Sequence, residues 1–494
     1  MKVISDIETN AIQNPDRYWL VGGKNLKTGE VYKFENIDTD PVASREARKW
    51  YENCTCIIGH NFLGYDARWL NTFWKAKVVD PKKVVDTVLI SRLIDYDMPI
   101  PPGGDSPHSL KSWGIRLGCH KGDFHDFSKL TDKMREYWLQ DLDTNEEIYY
   151  HLLPYMKDPA WQPSIRAEHD VTTELVRASM TGFAFDVDRA KEVLSNVQKD
   201  MEGLDAVFQR DFPPKLVEDR RIKYRVKADG TEYANVIKAR ETAPMVRVED
   251  DEMIIYDYEE FNPGSPKQRI NVLNEAGWKP YEKTKTHIKF ARAKVGEKWG
   301  KTVLTQELYD AKKEQLKTYG WAVNEDNLNT LPADAPDGAK ALAEWLTLEG
   351  RRSSLVEWLG QVKDDGRIHG SIISIGAWTG RCAHKNPNTA NIASVFHGKA
   401  DTPVKIVKEK YDSDLRSCWT VPDGSWLVGC DADGIQLRVL ADYLWRHFDA
   451  TEYADAIISG KKEDETDIHN VNKRALGLNS ATRDDAKTFN LGRL

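Results

Sequence analysis

The sequence predicts an α/β domain at the N-terminus followed by a longer α+β region, and three observations carry that prediction. Over residues 1–157, short apolar strands that end in acidic or turn residues alternate with amphipathic helical patterns. Past a proline-punctuated stretch at 158–164, long helical patterns take over, and one late apolar strand, Trp426 to Val428, leads to an acid at Asp431. At 494 residues the chain is too long for a single ordinary core and has room for about three domains. A hydrophobic content of 40% with 16 tryptophans is enough to fill them.

The remaining composition narrows the function classes. A net charge of −8 argues against a protein that coats DNA, yet an enzyme needs basic groups along one cleft only. The six cysteines show no paired CxxC spacing; free, buried thiols and a reducing compartment are the expectation. There is no apolar run near the length of a membrane span, which needs about eighteen residues, and Met1 leads straight into a strand. The expected location is the cytoplasm.

Three segments of the first domain carry acids with a chemical use. In VISDIET, Asp6 and Glu8 are two apart on a strand and therefore share a face. Two such carboxylates repel unless a cation lies between them. In IIGHNFLGYDARWL, an apolar strand ends at Gly59 and Tyr65-Asp66 opens a helical pattern. In MREYWLQDLDTNEEIYYHLL, Tyr137 and Asp141 are four apart on one helix face, and Pro154 is read as the helix end. Each signal alone is weak: a DxE pair on a strand is usually solvated, and YxxxD on a helix arises by chance. Their order and their apolar settings bring them toward one cleft.

This constellation resembles the DEDD-type 3'-5' exonucleases of the Tyr subclass, which have an RNase H-like α/β fold. The resemblance implies Asp6, Glu8, Asp66 and Asp141 as metal-binding acids and Tyr137 as the phenol that orients the attacking water. Hard carboxylate oxygens suit Mg²⁺, with Mn²⁺ an alternative. Two metals about 4 Å apart activate a water and stabilise the leaving 3'-oxygen, and Asp6 is the expected bridge. The segments around Asp86 (VVDTVLISRLID) and from His108 (HSLKSWGIRLG) are read as scaffold, with His108 structural.

The later elements resemble family A DNA polymerases of the T-odd coliphage type. AEHDVTTELVRASMTGFAFDVDRAKEV resembles the helix and turn that open the polymerase domain, with Gly182 at the turn and helical patterns from Asp188 to Phe208. Residues 212–260 break the pattern, first basic and then acidic. The position matches the family insertion that recruits a thioredoxin-like processivity factor, and a variable surface hairpin is the other reading. Phe261 to Ser265, with Pro266, resembles the turn before a thumb helix. In IHGSIISIGAWTGRCAHKNPNTANIASV, Thr379, Arg381 and Asn388 correspond to the palm residues that approach the primer-template duplex. Minor-groove acceptors shared by all base pairs allow such contact with any sequence.

In WLVGCDADGIQLRVLADYL, the resemblance makes Asp431 and the Ala432 carbonyl the holders of two catalytic metals. Gln436 replaces the family's usual Glu at the position that crowds the ribose 2'-hydroxyl. Asp467-Ile468-His469 matches a segment whose His reaches a triphosphate oxygen. Thr482, with Asp485, is placed as a helix cap, and Arg483 and Lys487 share the face on which an incoming nucleotide lies. Leu491 stands where the family generally has Phe or Tyr, and an aliphatic there changes the surface under the nascent pair.

The expected organisation is an exonuclease domain at 1–157, the opening of the polymerase domain and thumb at 158–350 with the insertion at 212–260, a partial palm at 351–460, and the start of the fingers at 461–494. No later strand supplies a His-Asp-Glu motif, and the sequence stops inside the fingers helix. The expectation at this point is the N-terminal part of a polymerase, with an incomplete right hand and little synthesis by this chain alone. A split gene with a second polypeptide is the favoured explanation, over a truncated, decaying copy or an engineered or partial sequence. The alternatives are a stand-alone exonuclease or a catalytically inactive primer-template binder. Single-stranded 3' ends, primer-template and deoxynucleoside triphosphates are the partners implied.

Overall fold

The computed structural model describes residues 1–119, 124–300, 302–393, 410–432, 434–461 and 463–477. It divides into two units, Met1–Pro422 and Asp423–Leu494.

The larger unit begins with a five-stranded sheet in the order β3-β2-β1-β4-β5. Its strands are β1 (Lys2–Thr9), β2 (Tyr18–Asn25), β3 (Val31–Glu35), β4 (Cys56–Gly59) and β5 (Val84–Asp86). β1 runs antiparallel to β2 and parallel to β4, so the sheet is antiparallel on one side and parallel on the other. Helices cover both faces: α1 (Pro41–Asn53), α2 (Asp66–Phe73), α3 (Thr87–Ile94), α4 (Leu110–Leu117) and the long α5 (Asp132–Lys157). The central strand is consequently buried on both sides. Val3 and Ile7 pack with Trp50, Tyr51 and Leu70, whereas Ile4 packs with Met134, Trp138 and Leu142 of α5. Period-two alternation then fixes the site: Asp6 and Glu8 share the face of Ile4, under α5.

Helix α5 is anchored at three points. Thr131 caps it by accepting from the Met134 N–H. The fully buried Trp138 donates its indole N–H to the Asp6 carbonyl at 3.0 Å. Arg135 makes a two-pronged contact, 2.7 Å on each prong, with Glu35 at the sheet edge. The Arg135 hydrogen bond, helped by Lys33, holds the Glu35 carboxyl down at about 2 against the opposing effect of burial. A depressed carboxyl stabilises the fold at pH values above its unfolded pKa, about 4.3, and that stability drains away as pH falls toward the folded value. The expected result is that Arg135→Gln loses stability near neutral pH, with the gap to the native chain closing between about pH 4 and pH 2. Acid unfolding curves of the two proteins measure this.

Two sequence expectations are corrected in this region. Pro154 lies inside α5, which continues to Lys157. So near a C-terminus a proline forfeits one helical hydrogen bond, in a turn already short of partners. The linker is also shorter than 158–164, because α6 (Gln162–Thr181) starts with Pro163 in its first turn, where a missing N–H costs nothing.

From α6 the chain turns at Gly182, whose positive φ and close approach to the Ile368 carbonyl leave no room for a side chain. It continues as β6 (Phe183–Phe185) and α7 (Val187–Asp211). α7 packs lengthwise on the later helix Asp337–Leu359, through Val193 and Val197 with Leu348 and Leu355, and through Phe208 and Phe212 with Ala339 and Leu342. The insertion is more than a hairpin. It is a three-stranded antiparallel sheet, β7 (Lys215–Lys223), β8 (Met245–Glu249) and β9 (Glu252–Glu259), in the order β7-β9-β8. With α8 (Ala234–Thr242) it encloses a core of Val236, Ala239, Met253 and Ile255. Next comes α9 (Pro266–Glu275), which follows the turn at 261–265 and is capped by Ser265.

The smaller unit contains the helices Ile435–Phe448, Thr451–Ile458 and Ile468–Leu476. Trp426 to Val428 form no strand: Trp426 is 90% and Val428 86% exposed. A strand is stable only where neighbours complete its backbone hydrogen bonds, and among the described residues none pairs with this run. All six cysteines are free, Cys54 and Cys418 being buried and Cys382 and Cys430 exposed. Among the described residues no helix is long and apolar enough to cross a membrane.

Candidate active site

Carboxylate oxygens of Asp6, Glu8 and Asp141 all lie within 4.8 Å of one another. Glu8 and Asp141 are buried and Asp6 is half-buried. β1 supplies two of the acids by alternation, and α5 supplies the third because Trp138, one turn earlier, is fastened to the Asp6 carbonyl. Three acids this close in a partly desolvated setting repel strongly, and a divalent cation is the natural means of neutralising them. The donor set, all oxygen, fits Mg²⁺ or Mn²⁺.

Asp66 stands beside this trio but outside it. It begins α2, is buried, and accepts a 2.9 Å hydrogen bond from the Ile7 N–H. Burial first, and then the neighbouring Asp6 carboxylate, push its pKa well above the ordinary range. The sequence placed Asp66 among four metal-binding acids, with Asp6 as the bridge. In the structure, one of its oxygens is committed to the backbone of β1.

Tyr137 lies one helical turn before Asp141, half-buried, with its ring against Phe124 at 5.6 Å and Phe127 at 6.2 Å between centroids. Those two phenylalanines escaped the sequence reading, since nothing in a loop announces which helix it will cover. Asp86 and His108 are scaffold, as expected. Asp86 caps α3 and accepts from the Asn61 and Leu63 N–H groups at 2.9 and 3.0 Å, which fixes the loop leading to Tyr65 and Asp66. His108 is buried between Ser91 and the Tyr96 carbonyl. His169 was also missed: from α6 it accepts the Asp86 N–H at 2.8 Å, which fastens α6 to β5.

Thr379 and Arg381 occupy the exposed tip between the paired strands Ser371–Ile373 and Ala383–Lys385. Asn388, also exposed, caps a short turn by accepting from the Ala390 N–H. Trp378, at the same tip, is 75% exposed, and its prominence was not read from the sequence. Asp431 and Ala432 lie in the smaller unit, exposed and without regular structure. Gln436 is exposed on the helix Ile435–Phe448, and His469 is half-buried at the start of Ile468–Leu476, whose cap is Asp467. Arg483, Lys487 and Leu491, with Thr482 and Asp485, fall outside the described residues.

Comparison with known proteins places these features in context. Residues 297–494 match the family model for DNA polymerase family A. The chain is similar to the DNA-directed DNA polymerase of Escherichia phage T7, 25% identical over 566 aligned residues that cover 99% of this chain and 75% of the phage protein. It is 26% identical over 520 residues to the DNA-directed DNA polymerase of Enterobacteria phage T3, covering 88% of this chain and 67% of the other. In fold it is similar to the POL domain of Pol1 from M. smegmatis, solved in complex with DNA primer-template and dNTP. The TM-score is 0.60 at 16% identity, over 99% of this chain and 67% of that one.

Proposed function

We propose that the chain is a family A DNA polymerase of the T-odd phage type, as its similarity to that family supports, and that it removes nucleotides from DNA 3' ends as a proofreading exonuclease joined to the polymerase region. The observation that carries this reading is the trio Asp6, Glu8 and Asp141 at the centre of the five-stranded sheet, their oxygens within 4.8 Å. Asp6, Glu8 and Asp141 would hold divalent metal there, which would supply an activated water and stabilise the departing 3'-oxygen. Asp6 and Glu8 present oxygens from a strand locked on both faces, and Asp141 closes the third side from α5. Asp66 holds the adjoining backbone of β1 through the Ile7 N–H and contributes negative charge next to Asp6. Tyr137, braced by Phe124 and Phe127, orients the water without acting as a base.

The polymerase roles are proposed for residues outside this cluster. Thr379, Arg381 and Asn388 hold the primer-template duplex. Asp431, with the Ala432 carbonyl, binds the metals of nucleotide addition. Gln436, His469, Arg483, Lys487 and Leu491 are assigned, by the resemblance, to binding the incoming nucleotide.

The deciding experiment is degradation of a 5'-labelled single strand by the purified chain in Mg²⁺, beside primer extension with all four deoxynucleotides. Stepwise shortening from the 3' end, abolished by EDTA, is expected. Its absence at every divalent metal tried would refute the exonuclease assignment. Tyr137→Phe is expected to slow cleavage by about tenfold, the scale of one lost orienting hydrogen bond at about 1.4 kcal/mol; single-turnover rates measure it.

A further inference from the structure

Between α9 and the helix Asp337–Leu359 the chain makes an excursion that begins and ends at one point. Lys283 and Trp321 form an antiparallel bridge, Thr284 N–H donates to the Gly320 carbonyl at 2.9 Å, and Ala322 N–H donates to the Glu282 carbonyl at 3.1 Å. Asn327, fully buried, staples this neck. Its side-chain oxygen accepts from the Tyr281 and Glu282 N–H groups at 2.9 and 3.0 Å. Its amide donates to the Glu282 and Ala322 carbonyls at 2.9 and 2.7 Å. The excursion comprises α10 (Lys285–Phe290), the paired strands β10 (Lys298–Trp299) and β11 (Thr302–Val303), and α11 (Gln306–Tyr319). It has its own core of Phe290, Leu304 and Leu316, against which Trp299 and Tyr309 pack. Residues 283–321 are thus a small module set between two helices of the larger unit.

Its charge is opposite to that of the whole chain. These residues contain ten lysines and arginines against four acids, a formal +6 within a total of −8. From Lys283 to Lys301 the imbalance is seven to one. Lys283, Lys285, Lys289, Arg292, Lys294 and Lys298 are all exposed. None of these six forms an ion pair among the described residues. The insertion at 215–259 has cations of the same kind but holds more acids than cations, nine lysines and arginines against eleven, and pairs several of them: Lys215 with Glu275, Arg221 with Glu218, Arg240 with Glu232 and Arg247 with Glu249. Mutual repulsion among unneutralised cations is a cost to the fold, and a polyanion that docks on them removes it.

We propose that residues 283–321 form a cationic module that grips the phosphodiester backbone of duplex DNA, resting on the reading that the chain works on a primer-template. Lysines dominate, which suits phosphate contact without base reading. The aromatic rings Phe290, Trp299 and Tyr309 are spent on the module's own core, so they do not offer the stacking platform that single-strand binders use. The grip is therefore on the duplex and indifferent to sequence.

The test uses the full chain carrying Lys285→Gln, Lys289→Gln, Arg292→Gln and Lys294→Gln together, with affinity for a primer-template duplex measured from low to high KCl. The expected result is at least a roughly tenfold loss at low salt, and a salt dependence shallower by about 0.9 in log K per log salt for each phosphate that the variant no longer neutralises. Thermal melting and cleavage of a short single strand stay at the native level. Native-like duplex affinity and slope in the variant, with the native chain binding well, overturn the module assignment and leave the proposed function standing. A loss confined to single-stranded DNA overturns the duplex assignment. A native chain that binds no DNA at all overturns both.

Discussion

Replacing Asp6 and Glu8 together by alanine is expected to lower 3'-end cleavage by at least about a thousandfold, equivalent to about 4 kcal/mol of lost transition-state stabilisation. The size follows from what the pair does. These two carboxylates are the strand's whole contribution to a cluster whose third member, Asp141, comes from another element. With both gone, one acid remains in the trio and cannot fix a metal pair. The substitution should leave the sheet intact, because β1 is held by Val3, Ile4 and Ile7 and by its pairing with β2 and β4. Primer-template affinity is the internal control: the proposed duplex contacts, Thr379, Arg381 and residues 283–321, lie on other elements, so binding should persist while cleavage disappears. Rapid-quench cleavage rates and a binding titration on one protein sample provide both readings. A double variant that still cleaves within tenfold of the native rate would remove the acid cluster from the mechanism.

The parts of this site that were legible in the sequence are those that depend on local geometry alone. Alternation along β1 put Asp6 and Glu8 on one face before any partner was known, and the four-residue spacing did the same for Tyr137 and Asp141 on α5. Asp66 was half legible: its place at the head of α2 was read correctly, but its hydrogen bond to the Ile7 N–H depends on how the loop after β4 meets β1. The bracing of Tyr137 by Phe124 and Phe127 and the fastening of Asp86 by His169 belong to tertiary packing, for which local pattern has no signal. Trp426 to Val428 show the opposite failure. Their apolar character read as a strand, yet strand is a property of pairs, and hydrophobicity cannot supply the missing neighbour. The insertion misled for a third reason. β7 is almost wholly exposed and densely charged, so its part in a three-stranded sheet left little apolar alternation to detect.

The stability of the first domain should invert its ranking with metal. In EDTA the trio holds carboxylates against one another, with Asp66 close by and its pKa raised by burial and by Asp6. Asp6→Asn removes a charge from the centre of that repulsion while keeping side-chain volume. The variant is accordingly expected to melt above the native protein in EDTA, by an amount on the order of 1 kcal/mol. Saturating Mn²⁺ reverses the order. A ligand that binds only the folded state stabilises it by RT ln(1 + [L]/Kd), about 2.7 kcal/mol at a hundred times Kd; the native site gains this and the variant, short of one oxygen donor set, gains much less. Differential scanning fluorimetry of both proteins across a Mn²⁺ titration therefore yields two crossing curves. Parallel curves would mean that the three acids are not a shared cation site. The crossing is informative beyond activity, because a repelled cluster in the apo state and a tight metal site in the loaded state are one arrangement of charges read under two conditions.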